Sequence, residues 1–233
     1  MSGPQSDQGY TGVENLEVMQ DAVNYNRFLL ETVRRHAPRG GRVLDFGAGA
    51  GQFAVPMSQL GFDVTALEPD ERLRARIASA GVRAVGGPDE LTDGSLQYAY
   101  SLNVLEHIDD DVGALGRLRA KLAPGGLLLI YVPAFPVLYT SMDAKVGHVR
   151  RYTRMTLVSA VRAAGFQVER VAYVDSLGFL ATLAFKAAGD RGGEINPRAL
   201  KVYDRAIFPL SRVIDKATQH WLGKNLLLLA RRG

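Results

Sequence analysis

VLDFGAGAGQF, Val43 to Phe53, is the stretch that decides the fold. An apolar run ends in Asp45, and the small residues Gly47, Ala48, Gly49 and Ala50 lead into Gly51. A strand that passes at once into small residues and then a helix sets backbone N–H groups at the carboxyl edge of a sheet, where a ligand can approach the main chain. The run reads G-A-G-A-G and not the G-x-G-x-x-G that seats a pyrophosphate. Asp45 stands two residues before the first glycine, which suits a ligand with a positive amino group. Glu68 follows 21 residues after Gly47, at the end of a second apolar run, where a carboxylate can accept both hydroxyls of a ribose.

Outward from this stretch, short apolar runs alternate with helical periodicity. Strands are expected at 42–46, 62–67, 82–85, 96–102 and 127–132, then at 166–174 and 225–230. Helices are expected at 52–60, 70–80, 109–122 and 156–164. Alternation with mostly apolar strands is the signature of a parallel sheet covered on both faces. The expected class is α/β, a Rossmann-like seven-stranded sheet with helices on both faces. Residues 1–14 read as a disordered polar start. Residues 15–41 carry a helix with apolar positions every three or four residues, ended by Pro38 and Gly40-Gly41. Residues 42–233 form the main domain, with a helical insertion at 175–224 before the last strand.

The chain has 233 residues, 47% hydrophobic and 22% charged, enough for one substantial core. It has no cysteine, which excludes disulfides and thiolate metal ligands. No run reaches the roughly 18 apolar residues of a membrane span, so the expected location is cytoplasmic. The net charge is +4. Ser176 to Lys224 holds eight Lys/Arg against four acids, a surplus equal to that of the whole chain. A solvated basic face, an anionic acceptor or an acidic lipid surface would each explain it.

With VLDFGAGAG, ALEPD, SLNVLEHIDDD and LAPGGLLLIYVP in hand, the sequence resembles class I S-adenosylmethionine-dependent methyltransferases. The later GHVRRYT and AAGF resemble a bacterial branch acting on small molecules. The resemblance implies S-adenosyl-L-methionine as methyl donor and a last strand that runs antiparallel. It places Asp45 near the donor's amino group, Gly47, Ala48 and Gly49 along its methionine part, and Glu68 with Pro69 at the ribose. Asn103 after the fourth strand, and Tyr25 on the helix that folds over the donor, complete the expected donor site. The adenine contacts stay unassigned, because Asp89 and Glu90 in VGGPDEL do not match the family spacing.

Methyl transfer from a sulfonium is an in-line displacement, so the protein positions the nucleophile and tunes its protonation. An oxygen or nitrogen acceptor calls for a general base, and His107 and His148 are the candidates. Each has a structural alternative, as a loop-bonding histidine. Tyr139, Asp143, Arg150, Arg151 and Tyr152 surround His148 in sequence and are the candidate acceptor-binding residues. The arginines could clamp an anion or could pair with Asp109, Asp110 or Asp111. No metal site is expected. The insertion is expected to close over the acceptor, and its removal to spare donor binding.

The acceptor is expected to be a small or lipid-linked molecule, methylated on oxygen, nitrogen or carbon. Nucleic acid is disfavoured by the modest charge and by Asn103-Val104-Leu105-Glu106 standing where a base-methylating tetrad would be. A peripheral membrane contact and a homodimer interface are further roles open to the insertion. A nicotinamide-dependent oxidoreductase on a Rossmann fold, and a non-catalytic donor-binding protein, are the rival readings.

Overall fold

The computed structural model describes residues 21–189 and 196–233. The expected disordered start and residues 15–20 of the expected 15–36 helix lie outside them; the described helix begins at Val23, after the non-helical Asp21 and Ala22. Seven strands form one sheet in the order β3-β2-β1-β4-β5-β7-β6. They are β1 Arg42–Phe46, β2 Asp63–Leu67, β3 Arg83–Val85, β4 Leu96–Leu102, β5 Leu122–Pro133, β6 Phe166–Val174 and β7 Asn225–Arg232. Strands β1 to β5 pair in parallel, whereas β7 runs antiparallel to both β5 and β6.

Alternate residues of the strands feed two cores. Leu128, Ile130 and Val132 of β5 join Leu44, Ala99, Leu226 and Leu228 on one face, beneath α4 (Asp111–Lys121) and α6 (Arg154–Ala163). Leu129 and Tyr131 join Val43, Tyr98 and Tyr100 on the other. There they meet α1 (Val23–His36), α2 (Ala54–Gln59) and α3 (Glu71–Ser79). The period-2 alternation of a strand, with both faces apolar, makes each run look continuously hydrophobic in sequence.

Local chemistry fixes the helix starts. Asp70 accepts N–H bonds from Arg72 and Leu73 at the head of α3, and Asp110 accepts one from Gly113 at the head of α4. Strand β5 begins five residues earlier than expected. Ala123-Pro124-Gly125-Gly126 does not end the pairing: Leu96 pairs with Leu122, the register shifts, and Tyr98 resumes with Leu127. A bulge absorbs the turn-forming residues.

The insertion is helical, as expected, with α7 (Ser176–Ala187), α8 (Pro197–Val202), a π-turn (Tyr203–Ile207) and α9 (Phe208–Thr218). No helix among the described residues is long and apolar enough to cross a membrane.

Among the described residues, three non-glycine residues have positive φ: Asn103 (55°), Phe135 (58°) and Asp175 (67°). They follow β4, β5 and β6 respectively, all at the carboxyl edge of the sheet. Backbone strain of this kind costs roughly 1–3 kcal/mol per residue and gathers where a site must be held.

Candidate active site

Asp45, Glu68 and Asn103 lie at the carboxyl ends of β1, β2 and β4, so neighbouring strands carry them to one edge. Gly47 and Ala48 both donate to the Leu67 carbonyl, at 2.9 and 3.0 Å, which ties the glycine loop to the end of β2. The Glu68 carboxylate closes the same loop. One oxygen accepts from Gly49 N–H at 2.8 Å and the other from Asp70 N–H at 3.0 Å. A carboxylate has about four acceptor positions, so capacity remains for two ribose hydroxyls.

The glycines are small for different reasons. Gly47 has a φ of +80°, and a Cβ there would meet Val104 Cγ2 at 2.5 Å. Its small size serves the fold. A Cβ on Gly49 would meet nothing within 4 Å. It is the place on the loop where a ligand has room. Ala48 is buried in the core beneath the loop, and Pro69 is exposed beyond Glu68.

Asp45 is buried, and its Oδ2 has no hydrogen-bond partner. Burial pushes its carboxyl up to about 7; the facing Tyr100 hydroxyl and Ala54 backbone partly offset this, and Glu68 adds to it. A buried carboxylate oxygen without a partner, at the root of the glycine loop, is the fit expected for an ammonium group. Tyr25 completes this side. Its hydroxyl adjoins Asn103 and Tyr131, and its ring packs edge-on against Tyr131 at 6.1 Å and Phe208 at 5.5 Å.

The position of Tyr25 depends on the insertion. No side chain of its own caps α1. Asp204 does so instead, accepting from Asn24 N–H and Tyr25 N–H, both at 2.9 Å. Asp204 is buried, and nothing in a sequence reading links it to a helix 180 positions away.

The acceptor-side residues follow β4 and β5. His148 Nδ1 lies 2.6 Å from Asp143 Oδ1, and its Nε2 lies 3.8 Å from Glu106 Oε1. The His107 and His148 rings meet edge to face at 4.7 Å. Burial pushes the His107 imidazole down to about 4, with the adjacent His148 adding to the effect. Burial raises the Asp143 carboxyl, but hydrogen bonds from His148 and Arg151 outweigh it and hold the group below the usual carboxylate range.

Several expected acceptor contacts turn out to be structural supports. Arg151 is buried and grips Asp143 in a fork, Nε to Oδ1 and Nη2 to Oδ2, both at 2.9 Å. Its guanidinium is used inside the protein, because a buried charge must be paired. Asp143 likewise faces Arg151, His148 and Thr140. Tyr152 is a core residue whose hydroxyl donates to Asp111 and the Leu105 carbonyl. Arg150 pairs with Asp111 at 2.9 Å and bonds the Asp109 carbonyl at 2.8 Å. That is the alternative weighed against an anion clamp. Tyr139 donates to the His148 carbonyl at 2.6 Å and so holds the histidine loop.

Glu106 was missed. It is fully buried, both carboxylate oxygens lack partners, and burial pushes its carboxyl up to about 8. Its place beside His107 was the available signal. What sequence could not show is that the turn Leu105–His107 points it inward, towards the 143–148 loop.

The fold is a Rossmann-like domain with a carboxylate-held glycine loop at the carboxyl edge of its sheet. Comparison with known proteins gives the family. Residues 18–171 match the model of a methyltransferase domain, and the chain belongs to that family, the class I S-adenosylmethionine-dependent methyltransferases, whose cofactor is S-adenosylmethionine. An uncharacterized methyltransferase of Mycobacterium sp. (strain KMS) is 30% identical over 138 residues, covering 54% of this chain and 55% of the relative. A ubiquinone biosynthesis O-methyltransferase of Caulobacter sp. (strain K31) is 32% identical over 101 residues, 39% of this chain and 40% of the relative. The chain thus spans about half the length, or less, of these curated relatives. A solved S-adenosylmethionine-dependent methyltransferase from Thermotoga maritima superposes with a TM-score of 0.65 at 19% identity, covering 96% of this chain and 98% of that one. At that identity the likeness shows the fold.

Proposed function

We propose that this protein transfers the methyl group of S-adenosylmethionine to a small or lipid-linked acceptor. The carrying observation is the partnerless buried Asp45 oxygen at the root of the loop that holds the open Gly49, on the same sheet edge as the Glu106–His107–His148 cluster. The donor's ammonium would meet Asp45, and its ribose Glu68. The sulfonium supplies the driving force when bound. The chain's part is to seat the acceptor at the β4 and β5 ends and to handle its proton. His148 is the base best prepared for this, since Asp143 fixes its orientation through Nδ1 and its Nε2 lies 3.8 Å from Glu106. His107 packs against it as a neutral neighbour.

An oxygen nucleophile is favoured, because the Caulobacter relative is named an O-methyltransferase and a hydroxyl needs such a base. The exposed Leu180, Leu183 and Phe185 of α7 are consistent with a lipid-linked acceptor and a peripheral membrane contact.

Calorimetry with S-adenosylmethionine, S-adenosylhomocysteine and NAD tests the donor. Heat with the first two and none with NAD is expected. Gly49→Val should abolish it by filling the open space. Glu68→Ala should weaken it by about 1–3 kcal/mol, the scale for hydrogen bonds to a charged group. Binding of NAD alone would overturn the reading. Formation of S-adenosylhomocysteine across a panel of phenols, alcohols and amines then identifies the acceptor class.

A further inference from the structure

We propose that Glu106, His107 and His148 form a divalent transition-metal site that binds the acceptor's attacking oxygen. This deepens the reading above and rests on it for the acceptor. The metal binding itself does not.

One atom from each of the three side chains can be chosen so that all lie within 4.8 Å of one another. Metal–ligand bonds of about 2.0–2.2 Å place ligand atoms roughly 3.4–4.2 Å apart, so movements of about 1 Å would close the triad on an ion. Two imidazoles and one carboxylate form a ligand set that leaves coordination positions open.

Two observations separate this cluster from an ordinary histidine pair. Glu106 is fully buried, and both its oxygens lack a hydrogen-bond partner. One of them lies 3.8 Å from His148 Nε2. A buried carboxylate without partners is costly unless something charged meets it. Arg151 attracts the Glu106 carboxylate electrostatically, but its hydrogen-bonding fork is used on Asp143.

The second observation concerns the outer nitrogens. His148 holds Asp143 through Nδ1, and His107 is hydrogen-bonded to the Gly147 backbone. Metal-binding histidines generally make such a bond from the ring nitrogen that does not ligate, which fixes the tautomer and aims the other nitrogen at the ion.

The step balances simply. The acceptor hydroxyl binds the ion and loses its proton to solvent. The resulting oxyanion attacks the donor's methyl carbon, the C–O bond forms, and the C–S bond breaks to leave S-adenosylhomocysteine. The ion acts as a Lewis acid and its oxidation state does not change. With the ion in place, His148 is a ligand and proton removal falls to the metal.

Titration of the chelator-treated protein with Co²⁺, followed by visible d–d absorption, tests the site. One equivalent should bind with the intense bands of low-symmetry coordination. Glu106→Gln and His107→Gln should each weaken binding at least about tenfold, and His220→Ala should not change it. No Co²⁺ spectrum at about millimolar metal would overturn the proposal. So would a spectrum that survives both substitutions with the fold intact by circular dichroism. Donor calorimetry on the same metal-free protein reports separately. Loss of donor binding would count against the proposed function, and loss of the cobalt spectrum alone against the metal site.

Discussion

Asp45 shows how one side chain can oppose the fold that buries it. Its folded-state value, about 7, lies well above the ordinary 3.8, chiefly through burial. A group raised in this way contributes most to folding below its ordinary value, and that contribution is lost as pH rises through about 7. The ligand-free protein therefore bears a buried charge at about pH 8. Asp45→Asn should raise its thermal stability there by roughly 1–3 kcal/mol, and the gain should shrink towards pH 4, where the wild type is neutral too. Donor binding has the opposite sense, since only the ionised carboxylate attracts an ammonium. Affinity should fall as pH drops from about 7 to about 5, approaching tenfold per unit, and the Asn variant should bind weakly with a flat profile. Melting curves and calorimetry across pH check both. A wild-type affinity independent of pH would remove Asp45 from the ammonium contact. Glu68 and the buried Tyr98 and Tyr100 are the other titratable groups near it. The sequence pointed to Asp45 and Glu68 because spacing from a glycine loop is local information. It could not separate Gly47 from Gly49, because what each faces, Val104 or open space, is set by packing.

At the scale of elements, helix α1 is held by a residue it does not own. Asp204 supplies both oxygens to the first turn of α1, and its backbone carbonyl accepts from the Asn24 side chain at 2.9 Å. The Arg212 guanidinium lies over the Phe28 ring at 4.0 Å, and Phe208 packs against both Tyr25 and Phe28. Loss of a cap of this kind costs about 0.5–2 kcal/mol. Asp204→Ala should therefore speed hydrogen exchange across residues 23–36, leave β1 and β4 unchanged, and weaken donor binding through Tyr25. If α1 stayed as protected as in the wild type, the capping role would be wrong. Strands were the easiest elements to read, with β1, β4 and β6 found to the residue, because an apolar run between turn residues carries its own boundaries. The early start of β5 was not legible, since proline and two glycines read locally as a stop while pairing with β4 carries the strand through them. Asp204 was invisible for a similar reason: an isolated acid in a basic insertion has no pattern to mark it.

For the molecule as a whole, the insertion joins α1 to the loop that follows β5. It caps and covers α1. At the loop, Phe179 packs edge-on against Phe135 at 5.1 Å, and Lys186 Nζ donates to the Val137 and Tyr139 carbonyls, both at 2.8 Å. Its own start is fastened within the same unit, where Asp215 accepts from Asp175 N–H and Ser176 N–H at 2.9 Å. The expectation that a lid could be removed without touching the donor treats the insertion as an appendage, and these contacts argue against that. Replacing residues 178–218 with a short glycine-serine linker should lower donor affinity as well as stability, because α1 loses its cap and Phe208 leaves a buried position. Lys186→Met separates the two sides. It keeps the apolar stem, leaves Asp204 and α1 alone, and frees the 136–139 loop that leads into Tyr139 and the histidine loop. Its donor affinity should stay within about threefold of the wild type, under the 1.4 kcal/mol of a tenfold change, while KM for the acceptor rises severalfold. Calorimetry and steady-state kinetics on the two variants decide the matter. A deletion variant that binds donor as tightly as the wild type would reduce the insertion to a cover, and a Lys186→Met variant with unchanged acceptor KM would detach α7 from the acceptor site.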